Sequence, residues 1–413
     1  MKKFLALTLA LVMSLSLVAC GDKKTDDTKT DEPDQKTEQP AENEGAYKVA
    51  MITDYGDITD QSFNQTTYEA CKAFAEDNGV EFSYFKPAGD NTADRVAMIE
   101  KAADEGYNVI VMPGYAFGGA IVEAAPEFPD VKFIALDVAA GDLLETAVAN
   151  AGESYDYNPS NWDLNKYVDM SNVYCAVYQE ELCGYMAGYA AVKLGYKNLG
   201  FLGGMAVPAV VRYGYGFVQG VDAAAADLGL TDVSLNYVYG GQFFGDADIT
   251  AVMDTWYAGG TEVVFACGGG IYTSAVDAAK KAGGKVIGVD VDQAGVIAGY
   301  AGVEGMTVTS AMKGLYPTTF DTLTDVIVNG NWEKYSGKID TLGLVSADDP
   351  DANYVQIPMG EGTQWSDSFT QDDYKAMVKN MFDGKITVSN DVSKAPSDFA
   401  TVIAVEDQGA IKG

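Results

Sequence analysis

One absence limits the chemistry open to this chain: it has no histidine. That removes Ser-His-Asp and Cys-His catalysis, the usual zinc sites and imidazole proton shuttles. The remaining motifs for chemistry are incomplete. Gly283-Gly284-Lys285 is followed by Val286, not by the Ser or Thr of a phosphate-binding loop. No G-x-S-x-G elbow occurs. Asp290-Val291-Asp292 begins like a calcium loop, but its twelfth position is Ala301 where Glu is needed. Gly268-Gly269-Gly270 is too short and generic to hold a dinucleotide. What is left suits holding a ligand rather than transforming one. Asp137 and Asp290 each end a run of hydrophobic residues. Phe63 and Asn64 lie in a loop after the first apolar run, Phe243 and Phe244 follow a later one, and Lys313 ends another. Aromatic faces, carboxylate acceptors and an ammonium donor form no nucleophile–base pair. The chain therefore reads as a binding protein and not an enzyme, with no cofactor and no metal.

The elements that must carry these residues alternate. Val49 to Ile52 is a short apolar run, and a helical pattern with Tyr68, Cys71, Phe74 and Ala75 on one face is stopped by Asn78-Gly79. Strands are predicted at Val80–Phe85, Asn108–Pro113 and Val131–Asp137, with helices between them. This is the signature of a parallel sheet covered on both faces. Residues 139–171 break the rhythm and predict a crossing between domains. A second run follows, with strands at 173–178, 199–202, 233–239, 262–267, 285–289 and 306–312. Its helices fall at about 180–195, 208–228, 247–258, 271–282 and 314–329. Two similar halves of this kind bind ligands beyond the carboxyl ends of their strands, in a cleft that can close.

Composition agrees. A length of 413 residues allows two or three domains, and 47 % hydrophobic residues allows a sizeable core. A net charge of −33 argues against nucleic acid and against docking on anionic lipid through a basic patch. Lys2 and Lys3 precede an apolar stretch from Phe4 to Val18, which is the layout of a signal peptide. The stretch ends in Leu17-Val18-Ala19-Cys20-Gly21, which resembles the lipobox of bacterial lipoproteins, whose cysteine is acylated. Residues 1–20 are thus predicted as a lipoprotein signal peptide and 21–45, which hold no large apolar residue, as an acidic tether. Cys71, Cys175, Cys183 and Cys267 lie in apolar stretches and are expected as buried free thiols.

Thr53-Asp54 followed by Asp60-Gln61-Ser62-Phe63-Asn64-Gln65 resembles the first loop of the basic membrane protein family. These are lipoproteins similar to the purine nucleoside receptor of spirochaetes and serve as substrate-binding components of ABC transporters. Val131 to Asp137, Gly200 to Met205 with Pro208 and Arg212, Gly268 to Gly270, Ile287 to Gln293 and Thr309 to Lys313 continue the match in order. The resemblance spans about residues 47–330 and weakens over the final 70 or so. It implies a type I periplasmic-binding-protein fold, an α/β architecture of two doubly wound parallel-sheet domains joined by three crossings. On that pattern one lobe holds 46–155 plus about 293–342, and the other about 156–292 plus 343–413.

The resemblance also implies site roles. Phe63 stacks on a base and Asn64 bonds its edge. Asp137 accepts from the base. Phe243 or Phe244 supplies the second stacking face, the choice being open. Asp290, with Asp292 as the fallback, accepts from the ribose, Lys313 donates to it, and Gly268, Gly269 and Gly270 let the backbone approach the sugar. The first loop departs from the family at Tyr55, Asp57 and Thr59, which opens riboflavin or a sugar as other ligands of the same fold. A surface lipoprotein without a transport role is a further alternative. The implied partners are a nucleoside, an ABC permease and the membrane, with the protein a monomer anchored by lipid on the extracytoplasmic face of a bacterial cell. Cys20→Ser should release the protein from the membrane fraction, because the acyl acceptor is gone. Persistence in washed membranes counts against lipidation.

Overall fold

The computed structural model describes residues 46–412, so the signal segment, Cys20 and the tether lie outside the described residues. Thirteen strands occur among the described residues: β1 Lys48–Ile52, β2 Glu81–Phe85, β3 Val109–Pro113, β4 Lys132–Leu136, β5 Val173–Tyr178, β6 Asn198–Gly203, β7 Ser234–Tyr239, β8 Val263–Cys267, β9 Lys285–Asp290, β10 Thr307–Lys313, β11 Ile339–Leu342, β12 Val355–Gln356 and β13 Ala404–Ala410. They form two sheets, of order β11-β5-β4-β3-β1-β2 and β12-β10-β9-β8-β6-β7-β13. All pairings are parallel except β10 with β12. The central strands β3 and β8 are buried along their whole length, as expected for strands with helices on both faces. Cys71, Cys175, Cys183 and Cys267 are free and buried, as their apolar contexts predict.

The boundaries between the lobes differ from those expected. Residues 139–171 do not cross. They hold the helix Ala140–Asn150, which buries Leu143, Leu144, Ala147 and Val148 on the first lobe. That spacing is helical, but the surrounding Gly, Asp and Asn obscure it. The crossing comes later, because β5 pairs with β4 from Phe133↔Val173 to Leu136↔Ala176 and so belongs to the first sheet. Likewise β10 pairs with β9 and belongs to the second sheet, so residues from 293 to 313 lie in the second lobe. The chain passes between sheets after Tyr178, after Lys313 and after Leu342. These segments are tied together: Gln179 donates its amide to Leu342 O at 2.9 Å and Gly314 to Tyr354 O at 2.7 Å. The C-terminal region completes the second lobe. Asp222 accepts from the amides of Thr401, Val402 and Ile403 at 2.8, 2.8 and 3.2 Å, which fixes the approach to edge strand β13.

Two features hold the crossing region. The helices Glu180–Lys193 and Pro208–Leu228 pack backbone to backbone through Gly184, Gly188, Gly216 and Gly220. A Cβ at Gly216 would collide with the Glu181 carbonyl. This contact sets the distance between Glu180 and Arg212, whose carboxylate and guanidinium pair at 2.7 Å. The second feature is Lys313, 6 % exposed at the end of β10. Its ammonium reaches Asp137 at 2.5 Å, Glu180 at 3.4 Å and Asp290 at 3.7 Å. Asp137 follows β4 of the first sheet and Asp290 ends β9 of the second, so one cation ties both lobes.

Gly216→Ala in an open helix would be stabilising by up to about 1 kcal/mol. Here overpacking should reverse the sign and cost roughly 1–3 kcal/mol in urea unfolding. Lys313→Met should cost roughly 3–5 kcal/mol, since buried carboxylates lose their counter-ion. Burial already pushes the Asp137 carboxyl up to about 7 against the pull of Lys313, and loss of that cation favours its protonated form further in the folded chain. The variant therefore gains stability as pH falls from 8 to 5 and its deficit narrows. A deficit that is the same at both pH values would mean the lysine does not neutralise them.

Candidate functional site

The cavity lies between the two sheets at the carboxyl ends of their strands and encloses about 810 Å3 of space free of atoms, its open mouth included. Phe63, Asn64, Asp54, Tyr55 and Asp137 line it from the first lobe, and Phe243, Gly268, Gly269, Asp290, Arg212 and Lys313 from the second.

The loop after β1 is organised by two carboxylates. Asp54 accepts from the amides of Tyr55 and Gly56 at 2.6 and 2.7 Å. Asp60 accepts from the amides of Ser62, Asn64 and Gln65 at 2.9, 2.9 and 3.1 Å. Asp60 thus satisfies the first turn of helix Phe63–Asn78, the task usually given to the residue before a helix. That residue, Ser62, sends its hydroxyl across the cleft to Asp290 Oδ2 at 2.6 Å. The helix start aims Phe63 and Asn64 into the cavity. Asn64 donates to Asp60 at 3.1 Å, while its Oδ1 is buried without a partner.

Asp137 and Asp290 occupy equivalent places on the two sheets. Both adopt the left-handed region, with φ of 61° and 64°. Asp tolerates that conformation better than most residues, and it turns the carboxylate back over the strand end. Asp290 accepts from Ser62 and, at 3.2 Å, from the Tyr213 hydroxyl. Asp137 uses one oxygen for Lys313, and its Oδ1 is buried without a partner. Burial pushes the Asp137 carboxyl up to about 7 against the pull of Lys313. Burial also raises Asp142 to about 6, and raises Asp54 and Asp60. Burial alone would lower Lys313, but Asp137, Asp290 and Glu180 outweigh it and hold the ammonium protonated. Its Nζ stands 4.8 Å from the ring centre of Phe63, 5.4 Å from Tyr178 and 5.6 Å from Tyr213.

The two adjacent phenylalanines part company. Phe243 faces the cavity, whereas Phe244 is 60 % exposed and lines none of it. The ring of Phe243 lies on Gly204 and Gly268, in the space where a Cβ at either would sit. Gly268, at φ 143°, therefore makes room for a side chain of its own lobe. Gly269 lines the cavity; Gly270 does not, and donates its amide to Phe243 O at 2.8 Å. Asp292 is exposed and accepts from the Ala294 amide at 3.1 Å, outside the cavity. The residue reading did not assign Asp54, Tyr115, Asp142 and Arg212 to the cavity, although all four line it. Asp54 had a signal, since it stands two residues beyond the first apolar strand. Tyr115 and Asp142 had none, because they come from helix starts that only the fold brings round.

Residues 47–357 match the family model of the ABC transporter substrate-binding protein, PnrA-like. A relative from Lactococcus lactis subsp. cremoris, the ABC transporter nucleoside-binding protein BmpA, is 26 % identical over 60 % of this chain and 64 % of its own length. The match thus takes in just under two thirds of that relative. Basic membrane protein B of Borreliella burgdorferi is 24 % identical over 72 % of this chain and 78 % of its own. In fold, the chain is similar to an ABC transporter solute-binding protein from Aeropyrum pernix, with a TM-score of 0.59 at 19 % identity over 86 % of this chain and 90 % of the other. One from Conexibacter woesei gives 0.58 at 21 % over 84 % and 99 %. The architecture is that of type I periplasmic binding proteins. With its family model covering most of the described residues, the chain belongs to the PnrA-like, or basic membrane protein, family of ABC transporter substrate-binding proteins, whose members bind for transport and are not enzymes.

Proposed function

We propose that this protein binds a nucleoside, of purine type, in the cleft between its lobes and delivers it to an ABC importer while anchored by lipid at Cys20. The observation that carries the reading is the pairing of aromatic faces with unmet acceptors. Phe63 and Phe243 face one cavity from opposite lobes. Within it, Asn64 Oδ1 and Asp137 Oδ1 are buried with no hydrogen-bond partner. A buried acceptor left unmet costs about 1–3 kcal/mol, which a ligand carrying N–H groups would remove. A purine base offers both a flat ring for stacking and N–H groups on its edge. Asp290 and Lys313 suit the ribose: each carboxylate oxygen retains a second lone pair beside the Ser62 or Tyr213 hydroxyl, and the ammonium can donate to a sugar hydroxyl. The name of the Lactococcus relative, a nucleoside-binding protein, supports the same class.

Riboflavin and free sugars are the competing ligands, and titration calorimetry separates them. Inosine or guanosine should bind well and ribose poorly, because ribose leaves the aromatic faces against water. Phe63→Ala should weaken nucleoside binding about tenfold or more, given roughly 1–3 kcal/mol per stacked base. Ribose binding as tightly as inosine, or an unchanged affinity in Phe63→Ala, makes the base-stacking reading wrong.

A further inference from the structure

Tyr55 has no part in that reading, yet it lines the cavity and touches both lobes. It leaves the first lobe directly after β1 and reaches the second. Its hydroxyl donates to Met205 Sδ at 3.2 Å, and its ring centre lies 6.2 Å from that of Phe243 at an interplanar angle of 32°. On its other side stands Arg95, 3 % exposed and ion-paired with Asp90. The guanidinium lies 5.9 Å from the Tyr55 ring centre and 6.0 Å from that of Phe117. The Tyr55 amide is held by Asp54, which itself faces the cavity. The ring is therefore gripped by Met205 and Phe243 in one lobe and by Arg95 in the other.

Beyond this group lies a second hollow on the first lobe, lined by Asp90, Thr92, Arg95, Tyr115, Asp142 and Glu145. Tyr115 and Asp142 line both spaces, and Arg95, which stands against the Tyr55 ring, lines the outer one. Tyr55 on the cavity side and Arg95 on the outer side thus stand between the two spaces.

Taking the nucleoside reading as its basis, we propose that Tyr55 is a specificity-determining residue: it buttresses Phe243 and closes the cavity behind the base, so that a two-ring base fits and a longer fused ring system is refused. Swinging the ring aside would give up the contacts with Phe243 and Met205 together and uncover Arg95. A longer ring system would have to force that change. Loss of the ring would join the cavity to the outer hollow.

The test uses the full chain, with inosine and riboflavin titrated calorimetrically into wild type, Tyr55→Phe and Tyr55→Ala. Wild type should favour inosine. Tyr55→Phe, which keeps the ring, should hold the inosine-to-riboflavin ratio within about threefold. Tyr55→Ala should lower that ratio by about tenfold or more, with inosine weakened and riboflavin strengthened, as pocket shape alone can discriminate to that extent. Thermal unfolding of the ligand-free variants accompanies the titrations, and the shift in ratio should appear in protein that is fully folded. An unchanged ratio in folded Tyr55→Ala overturns the role of Tyr55 and leaves the nucleoside reading intact. So does a wild type that binds both ligands equally. A wild type that binds neither overturns both.

Discussion

A single buried ammonium governs the centre of this molecule. Lys313 lies where β10 ends and the chain leaves the second lobe, with carboxylates from both lobes and from the first crossing around it. Removing a cation from water is expensive, and only close, well-bonded anions offset it. The surroundings meet that demand with Asp137 at 2.5 Å and rings that present their negative faces. In turn the anions need the cation: burial pushes the Asp137 carboxyl up, and Lys313 pulls it back. Arg212, on Glu180 at 2.7 Å, extends the same cluster into the cavity wall. The site, the hinge and the lobe contact are therefore one electrostatic unit.

Around that unit, backbone geometry decides what faces the ligand. The two strand-end aspartates share a left-handed φ near 60°, a conformation that costs energy and persists only where neighbours fix it. Hydrogen bonds and ion pairs fix both. The consequence differs between the lobes. Each oxygen of Asp290 has a hydroxyl partner, Ser62 or Tyr213, with Lys313 nearby, whereas Asp137 keeps one buried oxygen unbonded. Both equivalent positions line the cavity and both meet Lys313, but they differ in how many partners the protein already supplies.

The aromatic faces are positioned by small residues. Phe243 has room for its ring because Gly204 and Gly268 carry no side chain, and Tyr55 of the other lobe meets it at a tilt of 32°. The glycines shared by helices Glu180–Lys193 and Pro208–Leu228 act in the same way at a larger scale, since they bring Glu180 and Arg212 within bonding distance. Close backbone approach serves the site here, more than glycine's freedom of φ.

Alternation of apolar runs with helical periods was enough to read two parallel α/β halves, because strands buried on both faces carry unbroken hydrophobic runs. Strand-end acids were also readable, since an Asp that closes an apolar run has one place to go. The missing histidines excluded most catalysis outright. The lobe boundaries were not readable, because nothing in the composition of β5 or β10 names a sheet and only hydrogen-bonded pairing assigns them to one. Phe243 and Phe244 were indistinguishable for a related reason: adjacent residues in a loop carry no period, and only the space above Gly204 and Gly268 selects between them. Asp142 and Tyr115 reach the cavity from helix starts more than fifty residues along the chain from the first loop, and nothing local marks them. Local pattern depends on whether a residue is buried, which its own chemistry dictates. Which residues meet across a cleft depends on how separate elements pack, and that is settled only when the whole chain closes on itself.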